Sequence, residues 1–364
     1  MSRSMANGLV MMPTDERWRA FVAAAPHASI FQHPAWGSVL SECYGYRSFV
    51  AVVCDEDGEI QAGVPIQEVA SPLTRRRWIS LPFTDHCGPL YRDEQQLTHK
   101  GDVSEGDWRG ELLKYLGELR REAGAPSLEL RTGLPPQDGM LVNDSQVLHL
   151  LKLSPQSQEV FDNFHRSQVQ RNISRAEREG VEVRRGEGRK GLDAFYALHI
   201  QTRRRLGVPV QPKRYFDLLR ARLLDSGMGF VLLAYSDGRP IAGAVFLTHN
   251  TTLTYKYGAS DADSWSLRPN HALFWTAIKW GCDNGYRVFD WGKTGVDNEG
   301  LRRFKGRWGA EESILPYSVL DRAGQEAHGT SMQERLSGIM GLFIQKSPPI
   351  VCRTLGELLY KHFA

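Results

Sequence analysis

The alternation of apolar and polar positions predicts helices and strands in both halves of the chain. In the first half, apolar residues recur with the helical period over residues 14–25, 32–40 and 105–123. Runs rich in β-branched and aromatic residues predict strands over residues 49–54, 61–69, 78–81, 127–131 and 146–153. Asp55 to Gly58, between the first two of these strands, are typical of a hairpin turn.

The second half shows a similar order of elements. The pattern predicts helices over residues 155–178, 192–206, 213–224 and 272–281. It predicts strands over residues 181–185, 230–235, 241–249, 253–259, 288–291 and 315–320. In both halves helices come first, an antiparallel meander follows, and a long helix leads to another strand. This shared order indicates a duplicated α/β (α+β) fold, with a mixed, mainly antiparallel sheet in each half.

The domain boundary is predicted at Ser154 and Pro155, because a serine before a proline is typical of a helix start. The first domain then covers residues 1–153 and the second covers 154–316. The strand over 315–320 has no evident neighbour in the second domain. We therefore expect residues 317–364, which end in amphipathic helix patterns, to pack back on the first domain.

Composition narrows the function classes. The 364 residues include 45 basic and 42 acidic side chains, and a net charge of +3 is too small to indicate bulk nucleic-acid binding. The five cysteines form no CxxC pair, which excludes a zinc ribbon and favours a reducing compartment. No apolar stretch is long enough to span a membrane, and residues 1–12 do not form a secretory signal. We expect a cytoplasmic protein, whose C-terminal helices could still contact a membrane.

Two groups of basic residues are candidates for binding anions or reacting groups. Arg171, Arg175 and Arg178 fall on one helical face, which fits either phosphate binding or a solvated face equally well. Residues 302–309 place cations beside aromatic rings shortly after a strand. These cations could stabilise a transferring acyl centre or a phosphate, and the alternative is a surface turn with one buried aromatic ring.

Other chemistries have weaker support. No histidine pair has metal-ligand spacing on a predicted helix, so no metal is expected. Cys87 follows His86 directly, whereas a nucleophilic thiol needs a base placed across space, so we reject it as a nucleophile. A coenzyme A pyrophosphate loop would be a glycine-rich turn that opens a helix. Its nearest match, residues 204–209, ends a helix instead.

Several stretches together resemble the Fem (FemAB-like) family of non-ribosomal peptidyl or aminoacyl transferases, in the GNAT-type acyltransferase superfamily. The stretches run in the family order between about residues 28 and 320. They are 31–36 (FQHPAW), 171–176 (RNISRA), 207–209 (GVP) with Tyr215 and Phe216, 255–260 (YKYGAS), 289–292 (FDWG) and 300–305 (GLRRFK).

The resemblance implies two tandem GNAT-like domains, with the probable catalytic site in the second. It also implies transfer of an acyl or aminoacyl group to an amine of a cell-envelope or peptidoglycan precursor. The donor would be aminoacyl-tRNA, with no tightly bound cofactor. An acyl-CoA-dependent N-acyltransferase acting on a sugar or small amine is the alternative, and a non-catalytic module that binds RNA or anionic lipid is a third possibility.

The family's functional residues fall on identifiable positions. The resemblance makes Lys305 and Phe304 the catalytic candidates, because the family's lysine is thought to stabilise the transition state or the tRNA end. Tyr215 and Tyr257 fall on the substrate-pocket tyrosines. The other predicted substrate-binding residues are Trp36, Arg171, Arg175, Asp290 and Arg303.

The chain also departs from the family pattern. Gly37 and Ser38 stand where characterised members have a phosphate-binding lysine just after the Gln…Trp segment. Gln211 stands where they have an arginine before the proline, and a strand-end aspartate is replaced around residues 129–132. These departures leave the acceptor open.

Overall fold

Two units make up the chain, and the polypeptide passes from the first into the second and back. The structure, a computed structural model, describes residues 7–71, 74–92, 107–135, 139–321 and 341–363. The first unit contains the described residues up to 144 together with 315–321, and the second contains 145–314 together with 341–363.

The first unit is built on one mixed sheet. Its strands are β1 (Asn7–Met11), β2 (Arg47–Cys54), β3 (Ile60–Ser71), β4 (Thr74–Ile79), β5 (Leu90–Tyr91), β6 (Ser127–Leu130), β7 (Met140–Asn143) and β15 (Tyr317–Asp321). Its helices are α1 (Glu16–Ala24), α2 (Pro34–Tyr44) and α3 (Trp108–Glu122). The strand order is β1-β2-β3-β4-β6-β15-β7, with β5 on β3, and within this order β4 and β6 pair in parallel while the other described neighbours are antiparallel.

Local sequence signals explain how helix α2 starts and ends. It begins at Pro34, whose missing N–H is not needed in the first turn. His33 accepts a hydrogen bond from the Ala35 N–H and caps the helix. Gly45, with φ of 76°, ends it in the left-handed region that glycine adopts without strain. The helix thus lies where the pattern over residues 32–40 predicts it and continues to Tyr44.

The second unit carries the larger share of the helices. Its strands are β8 (Gln146–Lys152), β9 (Glu182–Gly186), β10 (Gly229–Ser236), β11 (Arg239–His249), β12 (Thr252–Ser260), β13 (Val288–Gly295) and β14 (Glu311–Ile314). Its helices are α4 (Ser157–Asp162), α5 (Arg171–Arg178), α6 (Gly188–Arg205), α7 (Lys213–Leu219), α8 (Pro269–Asp283), α9 (Glu299–Gly306), the described part of α10 (residues 341–346) and α11 (Pro349–Leu359). Shorter helical turns cover Arg166–Gln170, Arg220–Leu224, Ala262–Leu267 and Tyr360–Phe363.

The sheet of the second unit has the order β14-β8-β13-β12-β11-β10-β9. Its described neighbours are antiparallel except β12 and β13, which run parallel. In the core on one face, Phe274 of α8 packs with Phe246 of β11 and Trp291 of β13. Phe195 of α6 and Phe216 of α7 pack together as a separate buried pair. Both units therefore confirm the predicted class, a mixed, mainly antiparallel sheet flanked by helices.

The boundary between the units differs from the predicted one. The expected division at 153/154 lies at 144/145, because β8 pairs with β13 and β14 of the second sheet. The tail also divides: β15 pairs with β6 and β7 of the first sheet, whereas α11 packs on α6 of the second unit. The expectation that all of 317–364 returns to the first domain is wrong for α11, where the Gly356 Cα approaches the Val210 backbone closely.

Two predicted elements also change. The helix expected over 155–178 breaks between α4 and α5, because the His165 N–H donates to the Arg307 carbonyl at 2.8 Å and pulls the chain out of helical register. The alternative of a surface turn at 302–309 is wrong for its first half, which forms α9. Asn298 caps α9 by accepting a hydrogen bond from the Leu301 N–H at 3.1 Å.

Among the described residues, no helix combines the length and the apolar character needed to cross a membrane.

Candidate functional site

A pocket of about 220 Å³ opens in the second unit where β12 and β13 separate. The two strands pair in parallel only between Thr252–Thr254 and Val288–Asp290. The residues that follow on both strands, Tyr255 and Trp291, line the pocket. The rest of the wall comes from α6, α8, α9 and β11. Its polar side chains are Thr202, Ser260, Asn270 and Lys305, and its aromatic side chains are Tyr255, Phe274, Trp291 and Phe304.

Lys305 is the cation of this pocket. It lies in the last turn of α9, and only 3% of the residue is exposed to solvent. Its Nζ donates hydrogen bonds to the carbonyl oxygens of Gly292 at 2.8 Å and Lys293 at 3.1 Å. A buried ammonium requires such polar partners, because removing a charge from water is costly. The anchoring holds the charge in place at the pocket wall.

A bulge in β13 supplies these two carbonyl groups. The register of β13 against β8 shifts between Asp290 and Lys293. Gly292 has φ of 69°, a left-handed conformation that favours glycine. The Asp290 carboxylate accepts a hydrogen bond from the Gly292 N–H at 2.7 Å, and Asp290 is itself buried. Asp290 therefore shapes the backbone that holds Lys305, rather than facing the pocket.

The aromatic wall presents one hydroxyl group. The rings of Tyr255 and Phe274 meet edge to face at 4.9 Å, and Phe274 packs on Trp291 at 4.7 Å. A Cβ atom at Gly258 would collide with the Tyr255 hydroxyl group, so glycine is needed there. Burial raises the pKa of Tyr255, which keeps the phenol protonated and able to donate a hydrogen bond at neutral pH.

A buried histidine beside Lys305 was not foreseen. His149 of β8 is fully buried, and its Nε2 lies 3.0 Å from Glu312 Oε2. Arg302 in turn holds Glu312 with two hydrogen bonds of 2.7 and 2.9 Å. Burial lowers the pKa of His149, and the positive charge of Lys305 lowers it further. The signal in the sequence was the alternation in β8, which puts His149 on the buried face with Val147 and Leu151.

The structure brings only part of the predicted site together. Lys305 and Phe304 both line the pocket. The hydroxyl groups of Tyr215 and Tyr257 lie 2.9 Å apart, and both rings pack on Phe216. The ring of Tyr257 also packs on His199. This pair is not part of the pocket wall. It forms a neighbouring cluster under α6 and α7.

The remaining predicted contacts lie outside the pocket wall. Trp36 is wholly buried in the first unit against Phe31, so its ring has a packing role. Arg303 is exposed on α9, 3.4 Å from Glu299. Arg171 is exposed at the start of α5, and Arg175 lies 3.5 Å from Glu179 on the same helix.

The positions that depart from the family pattern make internal contacts. Gln211 is buried, and its side-chain oxygen lies 2.8 Å from His199 Nε2. The Ser38 hydroxyl donates to the Pro34 carbonyl within α2. Cys87 is fully buried, and burial raises the pKa of its thiol, which agrees with rejecting it as a nucleophile. The described residues contain no group of three side chains suited to hold a metal ion.

Comparison with known proteins shows which proteins this chain resembles. The acetyltransferase (GNAT) domain profile matches residues 163–306, which include both the Tyr255 and the Lys305 sides of the pocket. A UDP-N-acetylmuramoylpentapeptide-lysine N(6)-alanyltransferase from Weissella viridescens is 26% identical over 303 residues, covering 78% of this chain and 84% of that protein. The chain therefore contains a GNAT acetyltransferase domain and resembles proteins of the Fem family. These similarities agree with the predicted resemblance and with the acyltransferase class.

Solved structures agree on the fold of this chain. The crystal structure of FemX matches with a TM-score of 0.67 at 17% identity, over 85% of this chain and 96% of that one. The structure of L-PGS from Bacillus licheniformis matches with a TM-score of 0.55 at 13% identity, over 93% and 99% of the two chains. These likenesses support the tandem GNAT-like architecture.

Proposed function

We propose that this chain transfers an aminoacyl group from aminoacyl-tRNA to an amine of a peptidoglycan precursor. The observation that carries the proposal is Lys305, a buried cation anchored on the β13 bulge at the wall of an aromatic pocket. The Weissella viridescens relative, named as an alanyltransferase acting on the lysine of a UDP-linked muramoyl pentapeptide, supports this choice of donor and acceptor. We place the reaction in the cytoplasm, where charged tRNA is made.

The reaction needs orientation and charge stabilisation more than a nucleophilic residue. The neutral amine of the acceptor attacks the ester carbonyl of the donor, a C–N bond forms and the C–O bond to the tRNA ribose breaks. The amine loses a proton and the ribose oxygen gains one. Negative charge develops on the carbonyl oxygen during attack, and the fixed Lys305 ammonium and the protonated Tyr255 hydroxyl are suited to stabilise it.

The described lining residues suit direct transfer. They include no cysteine, histidine or carboxylate that would form a covalent intermediate or act as a strong base. The amine therefore passes its proton to the leaving ribose oxygen or to solvent. Phe304 and Phe274 exclude water from the ester, which favours aminolysis over hydrolysis.

An acyl-CoA donor is the second candidate, supported by the acetyltransferase profile. Pyrophosphate binding at a helix start needs free backbone N–H groups and little negative charge. The connection from β12 to α8, residues 261–268, contains no glycine and carries Asp261 and Asp263. Pro269 opens α8 without an N–H group. These features favour the aminoacyl-tRNA donor.

A donor comparison tests the proposal. The full chain is incubated with UDP-N-acetylmuramoyl pentapeptide and either alanyl-tRNA or acetyl-CoA, each labelled in the transferred group, and the acceptor mass is measured. We expect alanyl transfer, slowed by about 10²–10³-fold in Lys305→Met and kept in Lys279→Met, whose lysine is exposed on α8. Transfer from acetyl-CoA alone would establish the second candidate. Binding of tRNA with no turnover from a full set of aminoacyl-tRNAs would identify a non-catalytic binding module.

A further inference from the structure

Large apolar side chains are exposed together at the C-terminal end of the second unit. On α10 and α11 the exposed fractions are 61% for Leu342, 57% for Phe343, 72% for Ile350 and 62% for Leu358. Leu206, just after α6, is 60% exposed. Single exposed apolar residues are ordinary, but several on one surface indicate a contact with something apolar. We call these five residues the C-terminal apolar surface.

Contacts among the three helices hold this surface together. The Gln345 side chain donates to the Arg205 carbonyl at 3.4 Å, and a Cβ atom on Gly207 would lie 2.9 Å from the Gly341 carbonyl, so α10 lies against the end of α6. The Cys352 thiol donates to the Ile344 carbonyl at 3.3 Å, which joins α11 to α10. The apolar side chains therefore belong to one packed substructure.

The face of α11 that carries the apolar side chains is regular. Ile350, Thr354 and Leu358 recur at intervals of four residues, opposite the buried Cys352 and Gly356. The Thr354 hydroxyl donates to the Ile350 carbonyl at 3.1 Å, so its polar group is satisfied within the helix. The exposed side of α11 also carries the Arg353–Glu357 ion pair, so its apolar side chains stand beside charged ones.

The charge around this face is positive. Between residues 341 and 363 the basic side chains are Lys346, Arg353 and Lys361, and the one carboxylate is Glu357. Arg353 and Glu357 pair with each other at 3.1 Å, and the segment, with three basic side chains and one acidic side chain, has a formal charge of +2. In the last turn of α6, Arg203 donates to the Pro209 carbonyl at 3.0 Å and Arg205 donates to the Ser260 carbonyl at 3.1 Å.

We propose that the C-terminal apolar surface docks on an anionic lipid bilayer. Exposed apolar side chains bordered by cations match the interface of a bilayer with negative headgroups, where the side chains enter the acyl boundary and the cations contact phosphates. A second copy of the chain fits less well, because a symmetric contact would bring two positive surfaces together. The inference depends on these contacts alone and is independent of the proposed reaction.

Vesicle sedimentation with the full chain tests the docking. Two vesicle types are used: phosphatidylcholine alone, and phosphatidylcholine with phosphatidylglycerol in equal parts. We expect binding to the anionic vesicles that weakens with added salt and is much lower on the neutral ones. The triple variant Phe343→Ser, Ile350→Ser, Leu358→Ser should lower the partition coefficient by roughly tenfold or more.

Matched variants separate the contribution of the apolar side chains to vesicle binding from that of the lysines. Ile314→Ser removes an apolar side chain that is 66% exposed on β14 and should leave vesicle binding unchanged. Lys346→Glu with Lys361→Glu should abolish the preference for anionic lipid, whereas Lys279→Glu should not. Each variant is checked by circular dichroism, and the single variant Phe343→Ser replaces the triple variant if the latter does not fold.

Three results would overturn the proposal. They are no binding to anionic vesicles, equal binding by the wild type and the serine variants, and binding that ignores lipid charge. Light scattering supplies a further check in the absence of lipid. If the wild type is a dimer and the triple variant is a monomer, the surface binds a second copy of the chain instead.

Discussion

At the scale of single residues, Lys305 combines two features that rarely occur together. Its side chain is buried, yet it lines a pocket through which a substrate could reach the ammonium group. The two carbonyl groups that accept its hydrogen bonds fix the position of the charge before any ligand arrives. A preorganised charge stabilises a transition state more effectively than one that must reorient during the reaction.

We expect Lys305→Met to lower turnover by about 10²–10³-fold, the usual cost of removing one group that stabilises an oxyanion. Lys305→Arg should retain only part of the wild-type turnover. The planar guanidinium is longer than an ammonium group and cannot occupy its compact position between the two carbonyl groups. Steady-state kinetics with aminoacyl-tRNA measures both. Full activity of Lys305→Met in a folded protein would remove Lys305 from the mechanism.

At the scale of elements, the bulge in β13 positions a backbone carbonyl group of the strand for the candidate site. A regular strand would keep pairing β8 and would point its carbonyl groups along the ladder. The shift between Asp290 and Lys293, closed by the hydrogen bond from the Gly292 N–H, turns the Gly292 carbonyl toward α9. The start of α9 at its Asn298 cap then sets which of its side chains meets that carbonyl.

Gly292→Ala tests the bulge directly. A side chain at φ of 69° costs on the order of 1–2 kcal/mol of stability, and the strained bulge should no longer present its carbonyl to Lys305. We expect lower stability together with lower kcat. Gly285→Ala is the matched control, since Gly285 has φ of 78° with open space around its Cα and lies outside the pocket wall. It should show a similar loss of stability with kcat unchanged. Equal kcat in both variants would contradict a role for the bulge.

The helical face of Arg171 and Arg175 remains a predicted phosphate contact. Replacing both with Gln should weaken binding of tRNA, and the weakening should shrink as salt rises, because fewer counterions are released. Folding should change little, since exposed charges contribute roughly 0–1 kcal/mol each. Arg189→Gln with Arg239→Gln is the control, because both arginines are exposed elsewhere on this unit. If tRNA binding by the wild type and by both double variants had the same salt dependence, the face of Arg171 and Arg175 would be a solvated surface and not a phosphate contact.

At the scale of the whole molecule, the buried His199 and the partly buried His271 couple stability to pH. The pKa of His199 is lowered to about 3, mainly by burial, with a smaller lowering by the charge of Arg203 and an opposing rise from the hydrogen bond with Gln211. Burial lowers the pKa of His271 to about 4. In the unfolded chain both rings would take up a proton near pH 6.5. The unfolded state therefore gains protons first as the pH falls.

This difference predicts acid sensitivity with a definite sign. Stability is complete above about pH 6.5 and falls as the pH drops toward the folded pKa values, by on the order of 2 kcal/mol for each histidine between about pH 7 and pH 5. Urea unfolding of the full chain at both pH values measures the change. His199→Asn should reduce the pH dependence. Equal free energies of unfolding for the wild type at both pH values would contradict the assignment of low folded-state pKa values to these histidines.

Much of the architecture follows from local pattern. The periods of apolar residues predict most of the helices and strands of both units, and their repeated order predicts two similar domains. The segment that carries Phe304 and Lys305 is also identifiable from its cations and aromatic residues. These features depend on residues a few positions apart, and side-chain spacing records such neighbours directly.

Tertiary structure alone decides the partners of each element. The pattern of β8 predicts a strand but not its sheet, and pairing with β13 and β14 moves it into the second unit. The same pairing brings His149 to Glu312, residues separated by more than half the second unit in sequence. The anchoring of Lys305 on the β13 bulge likewise depends on a backbone shape that no single stretch specifies. Residue spacing encodes which face of an element is buried, whereas the contacts of that face are set only when distant segments pack together.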